Sequence, residues 1–390
     1  MLKRSLASSV VALLLAAAVS SCGRPSRTIE HKASALEASG PVPRARFVDD
    51  VGRFLAGLPG KEGDPFVALE SGDAWQEHRR EFDAVWSKVD QQWLPAIGRF
   101  QRTDLGGASI QDSIIFYPFS GPDTLMLTAF FPRNTVYVMV GLEPAGTLPR
   151  PRRMTEQELR AYLGEVRGMV SSELKRSFFI TREMDRDFRG QVTDGLFAPI
   201  LLLLTRTDHT VLGYRYVRLD TQGRIVERAA DYKAPGRIGN KGVEIDFRTD
   251  ADRSVHKLFY FSVNLSDERL RQNRPFLTFL AGLKGMTTFL KATSYMPHHS
   301  DFATIRREVL ANSSLILQDD SGIPYRFFDP AQWQVQLYGG YTQPYGSFRY
   351  LVQPDLRKAY EDSPPKPLGF RIGYGFARVP SNLQLARRKP

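Results

Sequence analysis

The chain has 390 residues, with 53 Lys or Arg against 42 Asp or Glu for a net charge of +11, 42% apolar and 24% charged residues, 25 Phe and one cysteine. This ordinary globular composition excludes a largely disordered chain and a polytopic membrane protein. A single cysteine closes no disulfide and builds no thiolate zinc site.

Residues 1–21 read MLKRSLASSVVALLLAAAVSS: a basic start at Lys3 and Arg4, an apolar run from Leu6 to Val19, then small residues before Cys22. That is the layout of an export signal. The run is roughly 14 residues, short of the ~18 to 20 of a spanning helix, so it is predicted to be a cleaved signal. Val19-Ser20-Ser21-Cys22 resembles the lipobox of bacterial lipoproteins. The resemblance implies a diacylglyceryl group on the Cys22 thiol, cleavage before it, and acylation of the new amino terminus. Two or more acyl chains anchor stably where one binds marginally, which makes membrane lipid the first expected partner. A stray cysteine behind an ordinary signal is the other reading. Gly23, in place of an Asp, resembles an outer-membrane address. The expected location is therefore the bacterial cell envelope, lipid-anchored at the outer membrane and facing the periplasm.

Residues 22–42, rich in Ser, Ala, Gly and Pro, read as a flexible tether. The rest divides into a helical and antiparallel-sheet lobe at 43–207 and a β-meander with helices at 208–390, or forms one continuous domain. Helices are expected at Phe47 to Leu58 and at Asp73 to Arg99, where Asp73 is the N-cap and Pro95 ends or kinks the helix. Trp75, Trp86 and Trp93 lie on one stripe of the second helix and read as core. Ser113 to Phe119, Leu125 to Phe131 and Thr135 to Leu142 read as antiparallel strands. Thr155 to Glu158 is a capping box opening a long helix. The apolar run Leu196 to Leu204 is a buried core segment, too short to span a membrane.

Strands follow at Thr210 to Leu219, Arg224 to Ala229, Gly242 to Arg248 and Val255 to Leu265, with a turn at Asp220 to Gly223. Val243 to Arg248 alternates apolar and charged, as a half-buried strand does. Helices return at Asp267 to Gln272, Pro275 to Leu283 and Phe302 to Asn312, and strands at Ser314 to Gln318, Gln334 to Tyr341 and Leu368 to Tyr374. With no βαβ rhythm in this order, the expected class is α+β, antiparallel sheets flanked by amphipathic helices.

Signatures of the common enzymes are missing: no Gly-x-Ser-x-Gly, His-Glu-x-x-His, Walker loop or Gly-x-Gly-x-x-Gly. No cofactor and no metal are assigned. Asp250-Ala-Asp252 lacks the glycine and glutamate of a calcium loop and reads as a turn. Two constellations remain. Ser120 and Asp123 in YPFSGPD, with Glu143 in GLEP, sit at strand ends where carboxylates beside aromatics bind a sugar or peptide; the alternative is turns and caps around a core. His298, His299 and Asp301, with Asp319 and Asp320, supply ligands for a metal or an acid/base pair; the alternative is Ser300 or Asp301 as a helix N-cap and Asp319 to Gly322 as a turn. YPFSGPD, GLEP and QDDSGIP, with KATSYM upstream of the last, resemble strings in a group of exported bacterial proteins and lipoproteins. That resemblance runs from about Ser113 to the carboxyl end and brings no functional residue with it.

Removal of residues 1–21 takes away Lys3 and Arg4 and leaves +9. Arg150 to Arg153, Arg269 to Arg274, Arg306-Arg307 and Arg387 to Lys389 are modest clusters without a nucleic-acid-binding module, so the expected charged partners are anionic envelope polymer or lipid head groups, and not nucleic acid. Two functions follow: a binding or scaffolding module tethered in the envelope, or an envelope hydrolase or metal-dependent enzyme acting on glycan or peptide. Cys22→Ser is expected to release the protein from membranes in detergent-free buffer. Fractionation in which the variant stays with the lipoproteins refutes the lipid anchor.

Overall fold

The computed structural model describes residues 46–105, 114–176, 194–229, 240–249, 254–341, 343–344, 346–377 and 381–390. Cys22, the signal, the tether and the turn at Asp250 lie outside them. The chain begins with α1 (Arg46–Leu55), a short α2 (Val67–Glu70) and α3 (Asp73–Lys88). Helix α3 passes through a π-helical turn (Val89–Trp93) into α4 (Leu94–Thr103), so Pro95 does not end it. Its missing N–H falls in the first turn of α4, where the π-turn has already shifted the bonding pattern. Gly72, not Asp73, occupies the N-cap. Trp75, Trp86 and Trp93 are buried in the core.

Strand β1 (Ile115–Pro118) leads into α5 (Thr124–Phe130) and then β2 (Val136–Gly141). The expected strand over Leu125 to Phe131 is thus a helix. Its run is apolar without alternation, a pattern that buried strands and buried helices share, and Asp123 decides the matter by capping it: Met126 N–H donates to Asp123 Oδ1 at 3.0 Å. After α6 (Glu156–Arg176), opened by the Thr155 and Glu158 capping box, α7 (Phe197–Arg206) lies buried along nearly its whole length. Then come β3 (His209–Leu219), β4 (Ile225–Glu227), β5 (Lys241–Thr249) and β6 (His256–Ser262). They are followed by α8 (Asp267–Gln272), α9 (Arg274–Ala281), β7 (Met286–Leu290), α10 (Ala303–Asn312) and β8 (Ser313–Gln318). The chain closes with β9 (Trp333–Gly339), α11 (Pro354–Asp362) and β10 (Asn382–Arg388). No strand forms at Leu368 to Tyr374, where a 3-10 turn occupies Gly373–Ala377. Strands β7 and β10 were not legible in the sequence.

All ten strands join one sheet in the order β4-β3-β5-β6-β2-β1-β7-β8-β10-β9. Pairing is mostly antiparallel, and with the surrounding helices the class is α+β. The expected uniformly antiparallel arrangement is corrected at the centre, where β6, β2, β1, β7 and β8 run parallel. Parallel neighbours need a crossover, and two βαβ units supply them: β1-α5-β2 and β7-α10-β8. The units travel in opposite directions along the sheet from the β1/β7 pair. Their helices lie on opposite faces, α5 in the core with Tyr117 and Phe289, α10 in the core with Phe116 and Leu290. Strands from both sides of residue 207 interleave in this sheet, because β1 and β2 sit between β6 and β7.

Strand β5 alternates as expected, yet its charged face is also closed. Glu244 Oε2 accepts from Arg215 Nε at 2.7 Å, and Lys257 Nζ reaches both Glu244 and Asp246 at 3.0 and 2.9 Å. Cross-strand pairing lets these carboxylates be buried.

Candidate functional site

The carboxyl ends of β1, β2, β6 and β7 surround a cavity of about 220 Å³. In open sheets with parallel strands, ligands bind outside the carboxyl ends where successive crossovers leave in opposite directions. Here that point is the β1/β7 pair. Ser120, Asp123 and Glu143, the first constellation read from the sequence, all line the cavity. Joining them is Lys291, the residue after β7, which sequence reasoning did not single out because β7 itself was not recognised.

Lys291 Nζ lies 2.6 Å from Asp123 Oδ2, and the two side chains are only 2% and 1% exposed. Tyr117 O–H donates to the same carboxylate oxygen at 2.7 Å. Asp123 therefore caps α5 with one oxygen and holds the lysine and tyrosine with the other. Burial of an ion pair needs such added hydrogen bonds to offset the desolvation of both charges. Ser120 Oγ donates to backbone carbonyls, of Gly121 at 3.0 Å and Val140 at 3.3 Å, and its N–H donates to Val140 O at 2.9 Å. The hydroxyl thus stitches the turn after β1 to the end of β2.

The loops at this edge are strained. Phe119 (φ 60°), Ala292 (φ 49°), Ser294 (φ 54°) and Tyr295 (φ 55°) adopt the left-handed conformation without being glycine. Such residues cost about 1 to 3 kcal/mol each and persist only where neighbours over-determine them. The neighbours are identifiable. Asp319 Oδ2 accepts from Ala292 N at 2.9 Å, Ser321 Oγ accepts from Thr293 N at 2.9 Å, and Tyr374 Oη accepts from Ser294 N at 3.1 Å. Gly373 is glycine for the same reason: at φ +57° a Cβ there would stand 1.8 Å from Asp319 Oδ2. Asp319 and Tyr374 are thus positioning residues for the loop that carries Lys291.

The second constellation is placed behind the loop and does not assemble as a five-residue centre. Asp319 is spent on Ala292 N–H and on Ser321, whose N–H and hydroxyl donate to Oδ1 at 3.0 and 2.5 Å. Asp320 accepts from Tyr295 O–H at 2.7 Å and Asn382 Nδ2 at 2.9 Å. His298 Nε2 lies 3.1 Å from the Asp320 backbone carbonyl rather than its carboxylate. His299 is half-buried near Tyr350, and Asp301 is exposed. Among the described residues no group of His, Cys, Asp and Glu has the arrangement to hold a metal ion. Neither Ser300 nor Asp301 caps α10; that cap comes from Asp267 Oδ1, which accepts from Thr304 N at 2.8 Å. The expected Asp319 to Gly322 turn is present, Gly322 N donating to Asp319 O at 3.2 Å.

Burial dominates the electrostatics behind the loop. It pushes Asp320 up to about 7, with adjacent Asp319 adding to the shift, and it raises Asp319 as well. It holds His298 down at about 4, so this imidazole is neutral at pH 7. No family model, no curated protein and no solved structure matches the chain.

Lys291→Met leaves Asp123 as an uncompensated buried carboxylate and is expected to cost about 3 to 5 kcal/mol in urea unfolding. Adding Asp123→Asn, which keeps the cap, should recover most of that loss; a single variant as stable as the wild type contradicts the ion pair. Asp320 binds its proton more tightly folded than unfolded, so its contribution is complete below about pH 4 and is lost as pH rises through about 7. Asp320→Asn is expected to flatten the fall of unfolding free energy over that window, measured at fixed ionic strength.

Proposed function

We propose that the chain is a binding module tethered to the bacterial cell envelope through lipidated Cys22, and that its ligand is a small molecule held in the cavity at the carboxyl ends of β1, β2, β6 and β7. The observation that carries this reading is the position of the cavity at the β1/β7 switch point, with a preformed floor of Lys291, Asp123 and Tyr117. Pre-formed concave sites with a few convergent polar groups are the usual form of small-molecule sites. The floor favours binding over catalysis, because Asp123 is committed to a helix cap, a lysine and a tyrosine at once. His298, the imidazole of the rival hydrolase reading, faces a backbone carbonyl, and the paired aspartates brace loops.

Among the described residues no helix is long and apolar enough to cross a membrane. Two of the basic clusters support structure more than partner binding. Arg387 donates to the carbonyls of Asp104 and Leu105, and Arg306 to that of Pro297. Arg150 to Arg153 and Arg269 to Arg274 remain the better candidates for contact with anionic polymer or head groups.

Leu142 sits at the cavity and is 50% exposed, so Leu142→Trp fills the entrance at small cost to folding. Low-molecular-mass extract from the cell envelope is expected to raise the thermal midpoint of the wild-type protein and leave Leu142→Trp unmoved. Equal shifts, or none in the wild type, overturn the cavity as the binding site.

A further inference from the structure

We infer that the cavity takes a short hydroxyl-headed amphipath, its hydroxyl donating a hydrogen bond at the floor and its hydrocarbon tail lying against Phe119, Leu142, Met296 and Phe302 at the mouth; this rests on the reading of the cavity as the ligand site. Hydrogen positions define the head. A hydroxyl carries one hydrogen and two acceptor lone pairs. Three lining residues have already given that hydrogen to the protein: Tyr117 to Asp123 Oδ2 at 2.7 Å, Ser120 to the Gly121 and Val140 carbonyls at 3.0 and 3.3 Å, and Thr293 to the Ser321 carbonyl at 2.6 Å. The loop after β7 has done the same with its backbone. The N–H groups of Ala292, Thr293 and Ser294 donate to Asp319, Ser321 and Tyr374, and that of Met296 to the Thr293 carbonyl at 3.1 Å. Ser120 and Thr293 therefore meet a ligand as acceptors, and a ligand group satisfies them only by bringing a hydrogen of its own. Whatever Lys291 donates, an alcohol accepts as a ketone does, so those two classes differ at the acceptors alone.

Burial separates the two ends of the cavity. Tyr117, Ser120, Asp123, Lys291 and Thr293 are buried, whereas Phe119, Met296 and Phe302 are half-buried and Leu142 is exposed. A polar floor thus lies under an apolar mouth. Phe119 and Phe302 stand nearly edge to face, with ring centroids 5.8 Å apart. Phe119 is the telling residue, because it holds φ 60° in a conformation that glycine would adopt without strain. A bulky side chain there is an outlier, and strain of that kind clusters where a site uses it. What phenylalanine adds over glycine is its ring, left half open beside the cavity. A hydrocarbon tail covering such partly wetted surface removes apolar area from water, and the flexible Met296 thioether adapts to its shape. The volume of about 220 Å³ exceeds the roughly 150 Å³ that holds a benzene, so an alcohol of about seven heavy atoms fits.

Butan-2-ol, hexan-2-ol and hexan-2-one test the assignment, because the first two differ only in tail length and the last two only in the donor hydrogen. Their dissociation constants are to be measured by titration calorimetry and protein NMR at pH 7. The protein is the full chain carrying Cys22→Ser, purified without detergent, which would compete for the cavity. Hexan-2-ol is expected to bind roughly tenfold more tightly than hexan-2-one, the worth of one hydrogen bond, and each added methylene to tighten the alcohol about fourfold. Ser120→Ala should lower the alcohol-to-ketone ratio and leave the methylene increment. Phe119→Gly, which relieves the backbone, should stay folded yet weaken both six-carbon probes about tenfold with their ratio unchanged. The wild-type ratios decide the matter even where a variant fails to fold. A ketone bound as tightly as the alcohol overturns the donor head; equal affinity for butan-2-ol and hexan-2-ol, or a Phe119→Gly chain that binds as the wild type does, overturns the apolar mouth. If Leu142→Trp nonetheless blocks the probes, the cavity still stands as a ligand site and only the selection is lost. Binding untouched by Leu142→Trp, or none up to about 10 mM, refutes both.

Discussion

Parallel pairing of β1 with β7 is the constraint on which the rest of the molecule depends. On their other sides β1 pairs parallel with β2 and β7 with β8, and consecutive parallel strands cannot be joined by a hairpin, so each sends its chain across a face of the sheet. Chain from β1 crosses by α5 to β2, and chain from β7 crosses by α10 to β8, in opposite directions and on opposite faces. Crossovers of a single hand require that combination. Their departure leaves the carboxyl ends of β1 and β7 uncovered between them, and the cavity occupies that gap.

Closing the gap from below creates an electrostatic problem that Asp123 resolves. Its two oxygens cap α5 and bind Lys291 and Tyr117, so one side chain links the turn after β1, the helix that follows it and the loop after β7. The loop in turn is held in left-handed conformations by Asp319, Ser321 and Tyr374, which come from the turn after β8 and the segment before β10. Buried acids at Asp319 and Asp320 thus serve the cavity indirectly. They are expensive to bury, and their raised affinity for protons is the sign of that cost.

Legibility from the sequence varied with how local the deciding interaction is. The capping box at Thr155 and Glu158, the turn at Asp220 and the helix at Asp267–Gln272 rest on bonds between residues a few positions apart, and they form as their patterns dictate. Pro95 does not end its helix, the first of the two outcomes expected of it, because a π-turn one step upstream absorbs its missing donor. Leu125 to Phe131 misled because a segment buried on every side has no alternation to read. Strand β7 went unseen for the same reason: Met286–Leu290 is short and buried throughout, and its polar Thr287 and Thr288 break any period.

Residue types and spacing alone determined the core tryptophans, the capping box at Thr155 and Glu158, and the convergence of Ser120, Asp123 and Glu143 on strand ends. Tertiary structure decided the rest of the site. Lys291 lies 168 positions from Asp123, and only the pairing of β7 beside β1 brings the amine to the carboxylate. The same pairing turned a suspected His and Asp centre into a brace, since those carboxylates point at backbone donors whose positions depend on the sheet. Local bonds are written in adjacent residues; strand order is set by which distant surfaces bury each other best, and no short window of sequence contains that comparison.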